Sequence, residues 1–311
     1  MEFPNRIAGF SDVTAGCWNP SHYERSANPA TRAEIVEKHD LSYAQHDPAH
    51  CLAPGLFRSL KRGERKKSKL DVTYRFGENE SMQFMGFELL GADDMRLLQG
   101  IVALGGPKGL LLTPEPTTEI GQKLRMFLDL DFEAIKQDGL IVSRSLSKLL
   151  TEVGMTDSGD NIKALKASLL RMSSTTILVT KGQQKDAFTL MSHVFHEANL
   201  WIALNPRIAG AILGCRPHTR IVMAEVRSLQ TDPARLMHQR LCGWINPGMS
   251  GCIVLDKLCR YIWHDEATNP NTMKTRHRVA RKALSEFVAV GWTVTEYAKG
   301  KWKIKRPAQP S

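Results

Sequence analysis

The order of elements in this chain repeats, and that repeat constrains its fold more than any single motif. Asp93-Asp94 precede the apolar residues Leu97, Leu98, Ile101 and Val102, and Gly105-Gly106 follow: cap, buried face and breaker in succession. A second helix is predicted over 145–153, ending at Gly154. Asp157-Ser158-Gly159-Asp160 then cap a third, whose inner face is Ile162, Leu165, Leu169 and Met172. Residues 175–180 and 187–191 flank the polar turn 181–185 and predict a hairpin. The succession then recurs. Asp232-Pro233 opens a helix with the face Met237, Leu241, Trp244 and Ile245, stopped by Asn246-Pro247-Gly248. A short strand over 252–255 leads to helices over 256–263 and 271–290, and 292–297 and 301–304 form a second hairpin around Ala298-Lys299-Gly300. Three helices with a turn between the last two, closed by a hairpin, is the order of a winged helix-turn-helix. The expected class is therefore α+β, with tandem winged-helix domains.

A chain of 311 residues has room for two such domains. The reading divides it into a mobile or loosely packed leader over 1–55, a first winged-helix domain with an N-terminal basic arm over 56–198, a connection over 199–230, and a second winged-helix domain over 231–308. The leader carries Pro4, Pro20, Pro29, Pro48 and Pro54, and beyond a short helix over 31–39 it shows little periodicity.

Charge points to a polyanionic partner. The formal net charge is +10, and residues 271–306 alone hold ten basic residues against Glu286 and Glu296. In the helix over 271–290, Ala280, Ala283, Leu284 and Phe287 share one face. The opposite face carries Lys274, Arg278 and Arg281, with Arg276, His277 and Lys282 on its flanks. Arginine reads guanine in a major groove and lysine anchors phosphates, so this stripe is the expected double-stranded DNA contact. The following hairpin alternates Trp302 and Ile304 with Lys301, Lys303 and Lys305, and Lys299 sits at its turn: a wing suited to a phosphate ridge. The first unit offers less, namely Lys163 and Lys166 on its third helix and Lys181 and Lys185 at its hairpin turn. Lys61, Arg62, Arg65, Lys66 and Lys67 form the basic arm, equally readable as a solvated charge run.

Enzyme signatures fail. Gly105-Gly-Pro-Lys-Gly109 lacks the phosphate-loop pattern and follows a helix rather than a strand. His39, His46 and His50, and the pair His193 and His196, match no metalloenzyme spacing, and the six cysteines form no C-x-x-C. No enzymatic activity, cofactor or metal is expected. No apolar run of membrane-spanning length and no signal-peptide order is present, so a cytoplasmic protein with no membrane partner is expected.

Four collinear stretches carry a family resemblance: HDPAHCLAPGLFRSLKRGERKKSKLDVTY from His46, LGADDMRLLQGIVALGGPKGL from Leu90, ARLMHQRLCGWINPG from Ala234, and FVAVGWTVTEYAKGKWKIKRP from Phe287. Over residues 46–308 the chain resembles the RepC replication initiators of IncQ-type broad-host-range plasmids. The resemblance implies a plasmid replication initiator that binds direct repeats (iterons) at the origin of replication, promotes melting of the adjacent A·T-rich DNA, and helps the plasmid-encoded helicase and primase to load. It implies a role in plasmid copy control, a plasmid- or nucleoid-associated place in the bacterial cytoplasm, and, as in similar initiators of other theta-replicating plasmids, a homodimer as a non-initiating form beside the repeat-binding monomer. By position it makes 271–290 the DNA-reading helix and 292–306 its wing. The first 45 residues depart from the family's shorter leader. A winged-helix transcriptional regulator (a repressor at a palindromic operator) and a replication nuclease are the rivals.

Overall fold

In the computed structural model, which describes residues 41–61, 63–76, 79–197 and 199–308, the chain starts with β1 (Tyr43–His46), α1 (Pro48–Leu52), β2 (Leu70–Arg75) and β3 (Glu80–Gly86). The first half continues through α2 (Ala92–Lys108), β4 (Leu110–Leu112), α3 (Glu119–Phe127), β5 (Asp131–Phe132), β6 (Gly139–Arg144), α4 (Leu146–Glu152) and α5 (Gly159–Ser173). Four strands follow: β7 (Thr176–Lys181), β8 (Gln184–Thr189), β9 (Met191–His196) and β10 (Asn199–Leu204). α6 (Pro206–Ile212), β11 (Thr219–Val222) and α7 (Met223–Ser228) lead to the second half, α8 (Asp232–Trp244), β12 (Ser250–Val254), α9 (Leu255–Ile262), α10 (Pro270–Ala289), β13 (Thr293–Ala298) and β14 (Lys301–Lys305). The fold is mixed α/β.

The second half has the expected elements, with its sheet in the order β12-β14-β13. The first half contains the same spatial order, β6-β10-β9, after α2 and around α4 and α5, with β4 added at one edge. This corrects one expectation. The hairpin predicted just after α5 exists as β7–β8, but the hairpin placed like the second half's β13–β14 is β9–β10. β7 pairs with β3, Phe84 opposite Ile177 and Met82 opposite Val179, in a separate sheet of order β2-β3-β7-β8-β5. Those four side chains are buried with Phe188, so β7–β8 is held by an apolar face and cannot project as a free wing.

Three further expectations are corrected. α2 does not stop at Gly105-Gly106 but runs on to Lys108. A Cβ at Gly105 would lie 2.7 Å from Ile212 and 2.9 Å from Leu140, so this glycine permits close helix packing and is not a breaker. Residues 41–55, assigned to the leader, are packed: Leu41, Ala44, Ala49, Cys51 and Ala53 are buried, and β1 pairs antiparallel with β11. The rest of that leader, with the helix over 31–39, lies outside the described residues. The connection over 199–230 is likewise built into the fold as β10, α6, β11 and α7.

One apolar core runs through both halves, from Leu41 to Ile304. At its middle α2 and α8 pack together, and Gln99 Nε2 donates to Gln239 Oε1 at 2.6 Å while Gln239 Nε2 donates to the His50 carbonyl at 3.3 Å. His46 is fully buried beside His50, and burial, with the neighbouring imidazole, lowers its pKa to about 3, so it stays neutral. His46 and His50 are core histidines.

The Asp93-Asp94 pair does cap α2, and Asp94 does more. Its Oδ2 accepts the Gly91 N–H at 2.7 Å, and Oδ1 accepts from Arg171 at 2.7 and 3.1 Å and from the Ser168 hydroxyl, which ties α5 to the start of α2. Removing one partner of a buried, hydrogen-bonded ion pair strands the other, at about 3–5 kcal/mol. Asp94→Ala should lower the unfolding free energy by that order in urea titration; a loss within about 0.5 kcal/mol, typical of surface changes, would contradict this role.

Candidate nucleic-acid interface

α10 starts at Pro270, with Asn269 Oδ1 accepting the Thr272 N–H at 2.8 Å. Ala280, Ala283, Leu284 and Phe287 are buried against the preceding helices, which fixes the opposite face outward. Lys274, Arg278, Arg281 and Lys282 are exposed there. Sequence reasoning missed Asn271 and Thr275, which are exposed on the same stripe; extending the charged periodicity by one turn would have found them.

Arg276 does not belong to this surface. It is 9% exposed, its guanidinium donates to the Asp265 carbonyl and carboxylate at 2.7 and 2.6 Å, and it lies 5.1 Å from the Trp263 ring centroid. Its position, about 140° around the helix from Asn271, points it toward the turn after α9 rather than outward. His277 bonds Asp256 at 2.5 Å.

In the three-stranded sheet β14 is central. Lys301, Lys303 and Lys305 lie opposite Val254, Cys252 and Ser250 on one side and Ala298, Thr295 and Thr293 on the other, so the lysine column has only uncharged cross-strand neighbours. Trp302 and Ile304 turn to the core. Lys299 sits at the turn before Gly300, whose φ of 70° suits glycine. Among the described residues no ion pair engages Lys274, Arg278, Lys282, Lys299, Lys301, Lys303 or Lys305. The acids of this segment are held internally: Glu286 accepts from Thr231 Oγ1 at 2.6 Å, and Glu296 accepts the Gly300 N–H at 2.6 Å and lies 4.0 Å from Arg281.

The other predicted cations divide. Lys163 and Lys166 are exposed on α5, with Lys166 Nζ 5.6 Å from the centroid of the exposed Phe195 ring on β9. Lys181 and Lys185 flank the β7–β8 turn in the five-stranded sheet, and Lys181 pairs with Glu80 at 3.4 Å; they are not part of the β9–β10 hairpin. In the arm, Lys61, Lys66 and Lys67 are exposed, Arg62 lies outside the described residues, and Arg65 is committed to Asp93 at 2.7 Å and Asp94 at 3.4 Å.

The sheet hangs from a buried polar strut. Glu225 Oε2 lies 2.6 Å from His238 Nε2 and accepts the Trp292 indole N–H at 3.1 Å, with Cys242 Sγ 3.5 Å from the same imidazole nitrogen. Arg306, counted with the basic tail, is buried; it donates to the Cys242 and Ile245 carbonyls at 3.0 and 3.2 Å and to the Arg220 carbonyl. Among the described residues Glu225, His238 and Cys242 are the group with metal-ligand spacing. His238 Nε2 and Glu225 are already bonded to each other, and the nearby Arg306 cation opposes another positive charge, so the arrangement fits a strut better than a metal centre.

Burial disfavours charged His238, but Cys242 and Glu225 together outweigh it and raise its pKa to about 9. A pKa above the unfolded value contributes stability that is complete below pH ~6.5 and lost as pH rises through about 9. The unfolding free energy should therefore fall by on the order of 2–3 kcal/mol between pH 6.5 and 9.5, and His238→Gln should flatten that dependence. Equal slopes in both proteins would show that the pair carries no such charge.

Among the described residues no helix is long and apolar enough to cross a membrane. No curated protein sequence matches the chain. Its fold is similar to crystal structures of RctB domains 2 and 3. One of them, a selenomethionine derivative, has a TM-score of 0.53 at 10% identity and covers 85% of this chain and 99% of that one. A second has a TM-score of 0.51 at 11% identity, covering 84% and 97%. The replication protein C (RepC) family matches residues 38–308, nearly the whole of the part that folds around α2 and α8, and the chain belongs to that family.

Proposed function

We propose that this RepC-family protein is a plasmid replication initiator that binds direct repeats in double-stranded DNA at its origin, using α10 in the major groove and the β13–β14 hairpin on the adjacent backbone. The observation that carries the reading is the pairing of an outward α10 face with free Lys274, Arg278 and Lys282 beside a column of free lysines on β14. Among the described residues nothing in either set is spent on an internal ion pair, whereas nearby Arg276 is paired with Asp265 and Arg306 is held by three backbone carbonyls. Arg278, at the centre of the stripe, takes a guanine by a bidentate contact; Asn271 and Thr275 complete the base-reading face.

The recurrence of α2, β6, α4, α5 and β9–β10 supports reading both halves as winged helices. Lys163 and Lys166 then give the first half a weaker backbone grip within the same site. Opening of A·T-rich DNA, loading of a plasmid helicase and primase, copy control through a homodimer, and residence with the plasmid in the cytoplasm complete the proposed role. The protein performs it by binding, with no ATPase or strand-cleaving chemistry of its own.

Footprinting of the purified chain on its own plasmid origin tests the reading. Protection of tandem direct repeats is expected; a single protected palindrome would favour a transcriptional repressor instead. If about six phosphates are neutralised, affinity should fall on the order of 1,000-fold between 50 and 200 mM salt. Arg278→Ala should cost about 1–3 kcal/mol and relax preference at one base pair, while Lys303→Ala weakens specific and random duplexes alike. Magnesium-dependent nicking of supercoiled origin DNA that copurifies with the chain would overturn the non-enzymatic part.

A further inference from the structure

The arm over 58–69 belongs by sequence to the first half, but it is fastened to the second. The Ser59 N–H donates to the Ile262 carbonyl at the end of α9 at 2.8 Å, and the backbone at Gly55 lies against the His264 ring. Its base is held by the Arg58 guanidinium on the Gly55 carbonyl at 2.6 and 2.9 Å, and its far end by Arg65 on Asp93 and Asp94. Between arm and helix runs a cleft lined by Ser59, Lys61 and Glu64 on one side and by Asn271, Thr272 and Thr275 of α10 on the other.

The arm and the hairpin therefore flank α10 on opposite sides. At 100° per residue Thr275, Arg278 and Arg281 are spaced about 60° apart, with Arg278 in the middle. Arg281 faces the hairpin through Glu296, and Thr275 faces the arm. A helix of ~10–12 Å diameter fills a major groove ~12 Å wide, so a phosphate ridge lies along each of its flanks. The hairpin lysines meet one ridge.

We propose that the arm meets the other: Lys61, Lys66, Lys67 and Lys69 hold the second phosphate backbone of the groove that α10 enters, so that the helix is clamped from both sides. All four are exposed, and among the described residues none is in an ion pair. Of the two acids beside the cleft, Glu64 accepts the Lys61 N–H at 2.7 Å and Asp265 pairs with Arg276 at 2.6 Å, and among the described residues neither forms an ion pair with any of the four lysines. Arg65 takes no part, because Asp93 and Asp94 hold it. The proposal rests on α10 entering a major groove.

Full-length Lys61→Gln/Lys66→Gln/Lys67→Gln/Lys69→Gln protein is compared with Lys301→Gln/Lys303→Gln/Lys305→Gln and the unsubstituted chain. The probes are the origin duplex protected in footprinting and a random duplex, read by salt titration and phosphate-ethylation interference. The arm variant should lower the slope of log affinity against log salt by about two to four, since each lost phosphate contact removes ~0.9. It should lose interference sites on the backbone opposite the one affected by the hairpin variant, with an unchanged footprint centre. An arm variant with the unsubstituted slope and interference pattern overturns the clamp, as does loss on the same backbone as the hairpin variant. If the hairpin variant also changes nothing on either duplex, the groove-reading assignment itself fails, and the clamp with it.

Discussion

The contact of α2 with α8 is the constraint on which the rest of the molecule depends. Each helix begins one of the two repeated units, and their packing places those units back to back across one core. Apolar side chains supply most of its stability, yet apolar packing alone tolerates sliding. The Gln99–Gln239 bond does not, because each amide would be left buried and unpaired by a shift of one turn. Gln239 extends the lock to the His50 carbonyl, Arg227 reaches the Leu41 and Glu152 carbonyls, and Arg306 ties the last strand to β11. The segment between the units is thus a brace.

Helices were legible where a cap, an apolar stripe and a stop coincide. α4, α5, α8, α9 and α10 begin and end within a few residues of their expected bounds, and Ser145, Ser158 and Asn269 cap them with their own side chains. Strand partners were not legible. β7–β8 has the alternation and turn of a hairpin, but whether it hangs free or joins a sheet depends on β2 and β3, about 100 residues earlier, whose Leu70, Val72, Met82 and Phe84 supply the buried row. The end of α2 was missed for the converse reason: Gly105 reads locally as a breaker, and only the approach of Ile212 and Leu140 shows why a side chain is excluded there.

For the candidate interface, periodicity identified the helix face but could not separate free cations from committed ones. Arg276, Arg65 and Arg306 resemble their neighbours in sequence and are each engaged by an acid or a carbonyl that becomes adjacent only on folding. Arginine suits this use, since its planar fork can satisfy several fixed acceptors at once, whereas lysine keeps one compact charge on a flexible stem. The division follows that chemistry: the arginines at structural joints are buried or paired, and the exposed hairpin and arm are almost entirely lysine.

If the two halves read DNA as proposed, their braced orientation has a consequence for recognition. Two reading elements on a flexible tether accept a range of separations at an entropic cost that grows slowly with tether length. Two elements fixed to one core accept a single separation and rotation, so the cost of alignment is met during folding and binding can use the full contact energy. The direction from the first unit to the second is also unique along the chain. A surface of that kind is asymmetric, so under the proposed function one molecule would match a directional site, and tandem copies of the site would seat successive molecules in the same orientation. A palindrome would instead need a two-fold axis that a single chain with these unequal halves does not have: α10 faces outward with four basic side chains, while α5 offers Lys163 and Lys166 beside an exposed Phe195.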